Sequence, residues 1–101
     1  MGVQVIIAEL SIVPIGKGVS VSQYVKVAIR TLEGRGVRVI PGPVSTVLEC
    51  KDIDLLLKAV KAAHRAVLES GVERVITTLK IDDRTDKDAS VDSKLRAISS
   101  P

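Results

Sequence analysis

Three charged residues, Glu9, Glu49 and Lys80, stand inside stretches that otherwise alternate like β-strands: VIIAELSIVP, VSTVLE and VITTLKID. Hydroxyls accompany them at the same parity, Ser11, Ser45 and Thr78, with Thr46 next in the chain. A carboxylate only accepts hydrogen bonds, an ammonium only donates them, and a hydroxyl does both. Such a set can hold an amino group or a cation and orient it. It cannot by itself make or break a bond. The chain contains no Ser-His-Asp arrangement, no nucleophile with an adjacent base and no CxxC, so no catalytic residue is assigned and a non-enzymatic role is expected.

The other chemistry-bearing residues are weaker candidates. His64 is the single histidine, so as a zinc ligand it lacks partners, and a hydrogen-bonded core or rim position is expected. Asp82-Asp83 could hold Mg²⁺ through oxygens, but the following Arg84 favours a charge-paired turn, and no metal site is assigned. IGKGVS, before a helix, could meet an anion at the helix N-terminus, although two spaced glycines are a weak signal. Cys50 is the lone cysteine, which excludes an internal disulfide and reads as a small buried hydrophobe. No cofactor is implied.

The elements that must position Glu9, Glu49 and Lys80 follow from periodicity. Residues 3–14 read as a strand with Ile6, Ala8, Leu10 and Ile12 on one face and Val5, Ile7, Glu9 and Ser11 on the other. Ser20 and Gln23 have capping-box form and open a helix through Val21, Val25, Ala28 and Leu32, which Gly34 or Gly36 stops. VRVI at 37–40 and VSTVLE at 44–49 make two strands around Pro41-Gly42-Pro43, a turn expected outside the sheet because proline lacks the donor. Asp52 caps a second helix with a stripe of Ile53, Leu56, Leu57, Val60, His64, Val67 and Leu68, closed by Gly71. A fourth strand spans VERVITTLKID, and an amphipathic helix from about Asp88 has Val91, Leu95 and Ile98 as its apolar edge.

The order βαββαβ plus a terminal helix predicts an α+β, ferredoxin-like sandwich: a four-stranded antiparallel sheet with helices on one face, in one domain spanning 1–101. The first strand is then central, between the third and fourth. The expected core sets Ile6, Ala8, Leu10, Ile12, Leu48, Val75, Leu79 and Ile81 against Val25, Leu32, Leu57 and Val60. Glu9, Ser11, Ser45, Val47, Glu49, Ile76, Thr78 and Lys80 turn to the open face.

Composition narrows the partners. With aromatic residues at 1% and Tyr24 alone, the core must be aliphatic, and the stacking platforms that single-stranded nucleic acids need are missing. The 15 basic residues are scattered, so neither a nucleic-acid nor a membrane partner is expected. The start, MGVQVIIAELSIVP, has no cationic n-region and is too short and polar to span a bilayer, so a cytoplasmic location is expected. A half-apolar open sheet face is usually buried by a partner. A homo-oligomer through that face, dimer or tetramer, is one expectation, and a small-molecule pocket in or beside the interface is the other.

The segments AELSIVPIG (8–16), STVLE (45–49), AVKAAHRAV (59–67) and TTLKIDDR (77–84), in this order, resemble the thiamine-binding protein family, the YkoF-like superfamily of small ferredoxin-like domains. The hairpin Pro43-Val44-Ser45-Thr46 departs from the family's pattern, in which a methionine and a glycine precede the threonine. The resemblance implies dimers and tetramers formed through the sheets, and binding of thiamine or its hydroxymethylpyrimidine part. On that basis Glu9, Ser11, Ser45, Thr46, Glu49, Thr78 and Lys80 are the expected ligand-binding residues. Lys80 would orient one carboxylate and leave the other to meet the ligand's amino group or its thiazolium cation. An oligomeric interaction module without a small ligand is the alternative.

Overall fold

The computed structural model describes residues 5–19, 21–87 and 89–99. Its elements are β1 (Ile6–Ile15), α1 (Ser22–Leu32), β2 (Arg38–Pro41), β3 (Thr46–Cys50), α2 (Ile53–Glu69), β4 (Arg74–Asp82) and α3 (Val91–Ser99). The strands form one sheet in the order β2-β3-β1-β4, with every neighbouring pair antiparallel. This is the expected α+β ferredoxin-like arrangement, with β1 in the middle.

Register assigns the two faces. Residues directly opposite in a ladder share a face. One face carries the row Val39, Leu48, Ala8, Ile81 and the row Pro41, Thr46, Leu10, Leu79. On this side Ile6, Ala8, Leu10 and Leu48 are buried with Leu32 and Val60, while Ile12, Val75 and Leu79 pack against them. The even positions of β1 therefore face the helices.

The helices are rotated from the expected stripes. Val25 and Leu57 are 39% and 46% exposed, and Ile81 near the end of β4 is 39% exposed. Tyr24 of α1 and Ala59 and Ala63 of α2 take core positions instead, beside Ala28, Leu56 and Val67 of the expected stripes, which are buried. The alanines leave little side chain between α2 and what it packs on, and close packing of backbone favours small residues there.

Turn chemistry differs in detail. α1 has Val21 at its N-cap with no side-chain cap bond, and the expected cap, Ser20, lies outside the described residues. Asp52 does cap α2, accepting the Asp54 N–H at 2.8 Å. Pro41 belongs to β2 rather than to a turn outside the sheet; it is the last residue of an outer strand, where proline is tolerated. Gly42 is demanded by space: a Cβ there would lie 2.6 Å from the Ser45 carbonyl oxygen.

α3 begins at Val91, and the expected start, Asp88, lies outside the described residues. Its first turn is closed by a reciprocal pair: Ser93 N–H donates to Ser90 Oγ at 3.0 Å, and Ser90 N–H donates to Ser93 Oγ at 2.9 Å. Its outer apolar residues, Leu95 and Ile98, are 54% and 81% exposed.

Candidate functional site

The open face of the sheet resolves into successive rows running from β2 to β4. The first row is Arg38, Glu49, Ile7, Asp82 and the second is Ile40, Val47, Glu9, Lys80. Then come Ser11 opposite Thr78, Val13 opposite Ile76, and Ile15 opposite Arg74. Glu9 and Lys80 are thus direct cross-strand neighbours, and the Ser11–Thr78 pair lies beside them along the same strands. Opposite charges at such positions attract across the ladder. Both side chains belong to exposed residues.

Glu49 is not free to join them. Its Oε2 accepts the backbone N–H of Val91 at 2.7 Å, and its Oε1 lies 3.7 Å from Arg38 Nη1. Arg38 also reaches Asp92 Oδ2 at 3.5 Å, and Lys94 Nζ donates to Asp82 Oδ2 at 2.5 Å. Three of the four first-row residues hold the start of α3, which therefore lies over that end of the open face. A carboxylate at a helix N-terminus satisfies an otherwise orphaned N–H and meets the positive end of the helix dipole.

Charge pairing shifts two acids around the end of β4, Asp82 and Asp86. The Lys94 hydrogen bond and charge hold the Asp82 carboxyl below its ordinary range. Arg84 donates to both oxygens of Asp86, at 2.7 and 3.0 Å, and brings that carboxyl down to about 2. Asp82, the last residue of β4, is paired to a helix lysine and Asp86 to Arg84, so the end of β4 and the turn beyond it are charge-paired. Among the described residues, no group of three or more His, Cys, Asp or Glu converges to hold a metal ion.

The hydroxyl residues meet at a different place. A groove of about 230 Å³ runs between α1 and the β2–β3 connection, lined by Ser11, Ser45 and Thr46 together with apolar side chains that include Leu10, Ile12, Val21, Val25 and Ala28. Ser11 belongs to the open-face parity, whereas Thr46 is buried with Leu10 on the helix side, so the groove wraps around the hairpin end of the sheet. Gly42 and Pro43 form part of its wall, next to Ser45. The rotation of α1 that exposes Val25 is what gives the groove this apolar wall, and a periodicity that assigned Val25 to the core could not reveal it.

His64 stays out of this site. Its Nδ1 lies 2.6 Å from Thr77 Oγ1, on the helix side of β4, as a half-buried, hydrogen-bonded histidine. Cys50 is buried, with its thiol directed to the Gly36 and Asp52 carbonyls at 3.5 and 3.3 Å. No helix among the described residues is long and apolar enough to cross a membrane.

Known proteins share this architecture. The crystal structure of protein MJ1052 from Methanocaldococcus jannaschii superposes with a TM-score of 0.87 at 47% identity, covering 94% of this chain and 96% of that one. A Bacillus cereus domain of unknown function superposes with a TM-score of 0.80 at 35% identity over 93% of this chain and 89% of its own. A Thermotoga maritima protein, described as a candidate for thiamine biosynthesis or salvage, has the same fold at 19% identity and a TM-score of 0.77, over 93% of this chain and 98% of that one. In sequence, a UPF0045 protein of Methanothermobacter thermautotrophicus is 46% identical over 92% of this chain and 95% of its own. The family profile described as thiamine-binding protein matches residues 8–99, and the chain belongs to that family.

Proposed function

We propose that this protein binds a thiamine-like pyrimidine without transforming it, in the groove between α1 and the β2–β3 connection, with a second copy completing the site over the open sheet face. The observation that carries this reading is the convergence of Ser11, Ser45 and Thr46 on one otherwise apolar groove. Pockets for small molecules combine an apolar lining with a few placed polar groups. A groove of about 230 Å³ has room for a heteroaromatic ring. An aminopyrimidine has an amino donor and ring-nitrogen acceptors, which hydroxyls and a carboxylate can match. Glu9, one row along from Ser11 and opposite Lys80, is positioned for a cationic substituent extending onto the open face, beside Thr78. Glu49 takes part only through α3, since Val91 occupies its carboxylate. The thiamine-binding family and the description of the Thermotoga protein support the ligand class.

Calorimetric titration of hydroxymethylpyrimidine and thiamine tests the proposal. Wild type binds, Ser45→Ala and Glu9→Gln weaken binding, and Glu49→Gln leaves it close to wild type. Equal binding by all the variants moves the ligand elsewhere. A second reading, an oligomeric interaction module with no small ligand, draws on the exposed Val13–Ile76 pair. It takes over if wild type binds neither compound.

A further inference from the structure

The surface of the two long helices carries a feature that the pyrimidine reading does not use. A second, wider groove of about 470 Å³ is lined by Thr31, Arg35, Lys58, Lys61, Ala62, Arg65, Ala66 and Glu69. Four of these residues are cationic and one is anionic. Lys58, Lys61 and Arg65 are spaced i, i+3 and i+7, so they stand on one stripe of α2, rising over roughly 10 Å at the helical pitch. Arg35 faces them from just beyond α1, its Nε anchored on the Thr31 carbonyl at 2.7 Å. That bond uses Nε and leaves the two terminal nitrogens for a ligand. The small side chains of Ala62 and Ala66 form part of the lining between the cations.

None of these four cations has an acidic partner among the ion pairs of the described residues, which engage Arg38, Arg84 and Lys94 instead. Like charges three and four residues apart destabilise a helix. Lys58–Lys61 and Lys61–Arg65 are both such pairs; the acids of this stripe, Asp54 and Glu69, stand only at its two ends, and Lys61 has no acid three or four residues away on either side. A local rule broken without a compensating contact marks a place selected for something other than stability.

We infer that this groove is an anion site for a compact polyphosphate: the diphosphate or triphosphate moiety of a small molecule, or the free inorganic ion. Arginine forks and lysine point charges are the groups that hold adjacent phosphates. The groove is of small-molecule size, and its lining offers no aromatic ring on which a base could stack. It lies on the surface of the two long helices and shares no lining residue with the pyrimidine groove.

The test is titration of inorganic triphosphate, diphosphate and orthophosphate at low ionic strength, followed by calorimetry and by melting temperature. Wild type binds triphosphate most tightly, and the double variant Lys61→Ala/Arg65→Ala weakens it by about tenfold or more, since charge-assisted contacts are lost. A control of equal net charge, Lys51→Ala/Lys87→Ala, leaves binding unchanged. Without ligand, the groove variant melts no lower than wild type, because like-charge repulsion is relieved. The inference is overturned if wild type does not bind, or if the two double variants weaken binding equally, which would make net charge the cause. It is also overturned if a short DNA duplex binds more tightly than triphosphate, which would make the groove a nucleic-acid surface. Pyrimidine binding measured on the same variants stays at wild-type strength, so failure here is separable from failure of the proposed function.

Discussion

The carboxylate of Glu49, on the third strand of the sheet, accepts the N–H of Val91, the first residue of the last helix, at 2.7 Å. A side chain that alternation assigns to a ligand face thereby becomes the cap of an element 42 residues further on. Glu49→Ala removes the acceptor, and the loss of one such cap costs about 1 kcal/mol. Hydrogen exchange of the Val91–Ser99 amides accelerates in the variant, while amides in β1 keep their protection. Uniform loss of protection across the sheet would mean that Glu49 supports the whole fold rather than α3.

The core prediction concerns depth. Leu10 is 3% exposed, so Leu10→Ala destabilises by roughly 2–5 kcal/mol in denaturant unfolding. Leu57 is 46% exposed, and Leu57→Ala changes stability by about 0.5 kcal/mol or less. Similar costs for the two would place Leu57 in the core after all.

Acid should loosen the Asp82–Lys94 and Asp86–Arg84 ion pairs. The folded values of Asp82 and Asp86 lie below the ordinary 3.8, the latter at about 2. A depressed carboxyl contributes stability that is complete above its unfolded value and is lost as pH falls through its folded value. The window therefore runs from about pH 4 downward, not through neutrality. Carboxyl titration followed by NMR should give Asp86 a midpoint near 2, and Arg84→Ala should return it towards 3.8. An unchanged midpoint in that variant would assign the shift to something other than Arg84. Because these groups are exposed, added salt weakens both pairs.

Oligomeric state is the remaining prediction. Val13 and Ile76 face each other across β1 and β4 at 43% and 45% exposure, with Ile15 at 36% on the same face. Light scattering of wild type at micromolar concentration gives a dimer or tetramer, and Val13→Glu/Ile76→Glu shifts it to monomer. A wild-type monomer would remove the second copy from the proposed site.

Strand faces were legible in the sequence because a period of two leaves only two assignments, and Ile6, Ala8, Leu10 and Ile12 decide between them. The face of α2 was less legible. Leu55, Leu56 and Leu57 are consecutive, so an apolar stripe can be drawn through any of them. The true stripe is marked by Ala59 and Ala63, residues whose small size is the reason for their burial. The position of α3 was hidden for another reason. It depends on polar contacts between residues far apart in the chain, such as Arg38 with Asp92 and Glu49 with Val91, and these leave no periodic trace. Ser11, Ser45 and Thr46 could be picked out one by one, but the groove they share exists only once α1 is turned.

Pro41 at the end of β2 has a consequence for how the sheet can grow. The β2 side is four residues long and lacks an N–H at its last position. The opposite border is β4, with nine residues and no proline. A strand border without a neighbour is a template for further pairing, and proline and short length blunt it. The two borders are therefore unequal. Any lengthening of the sheet by an added strand, whether in ordered assembly or in aggregation of partly unfolded chains, proceeds from the Arg74–Asp82 side, which gives the sheet a direction of growth.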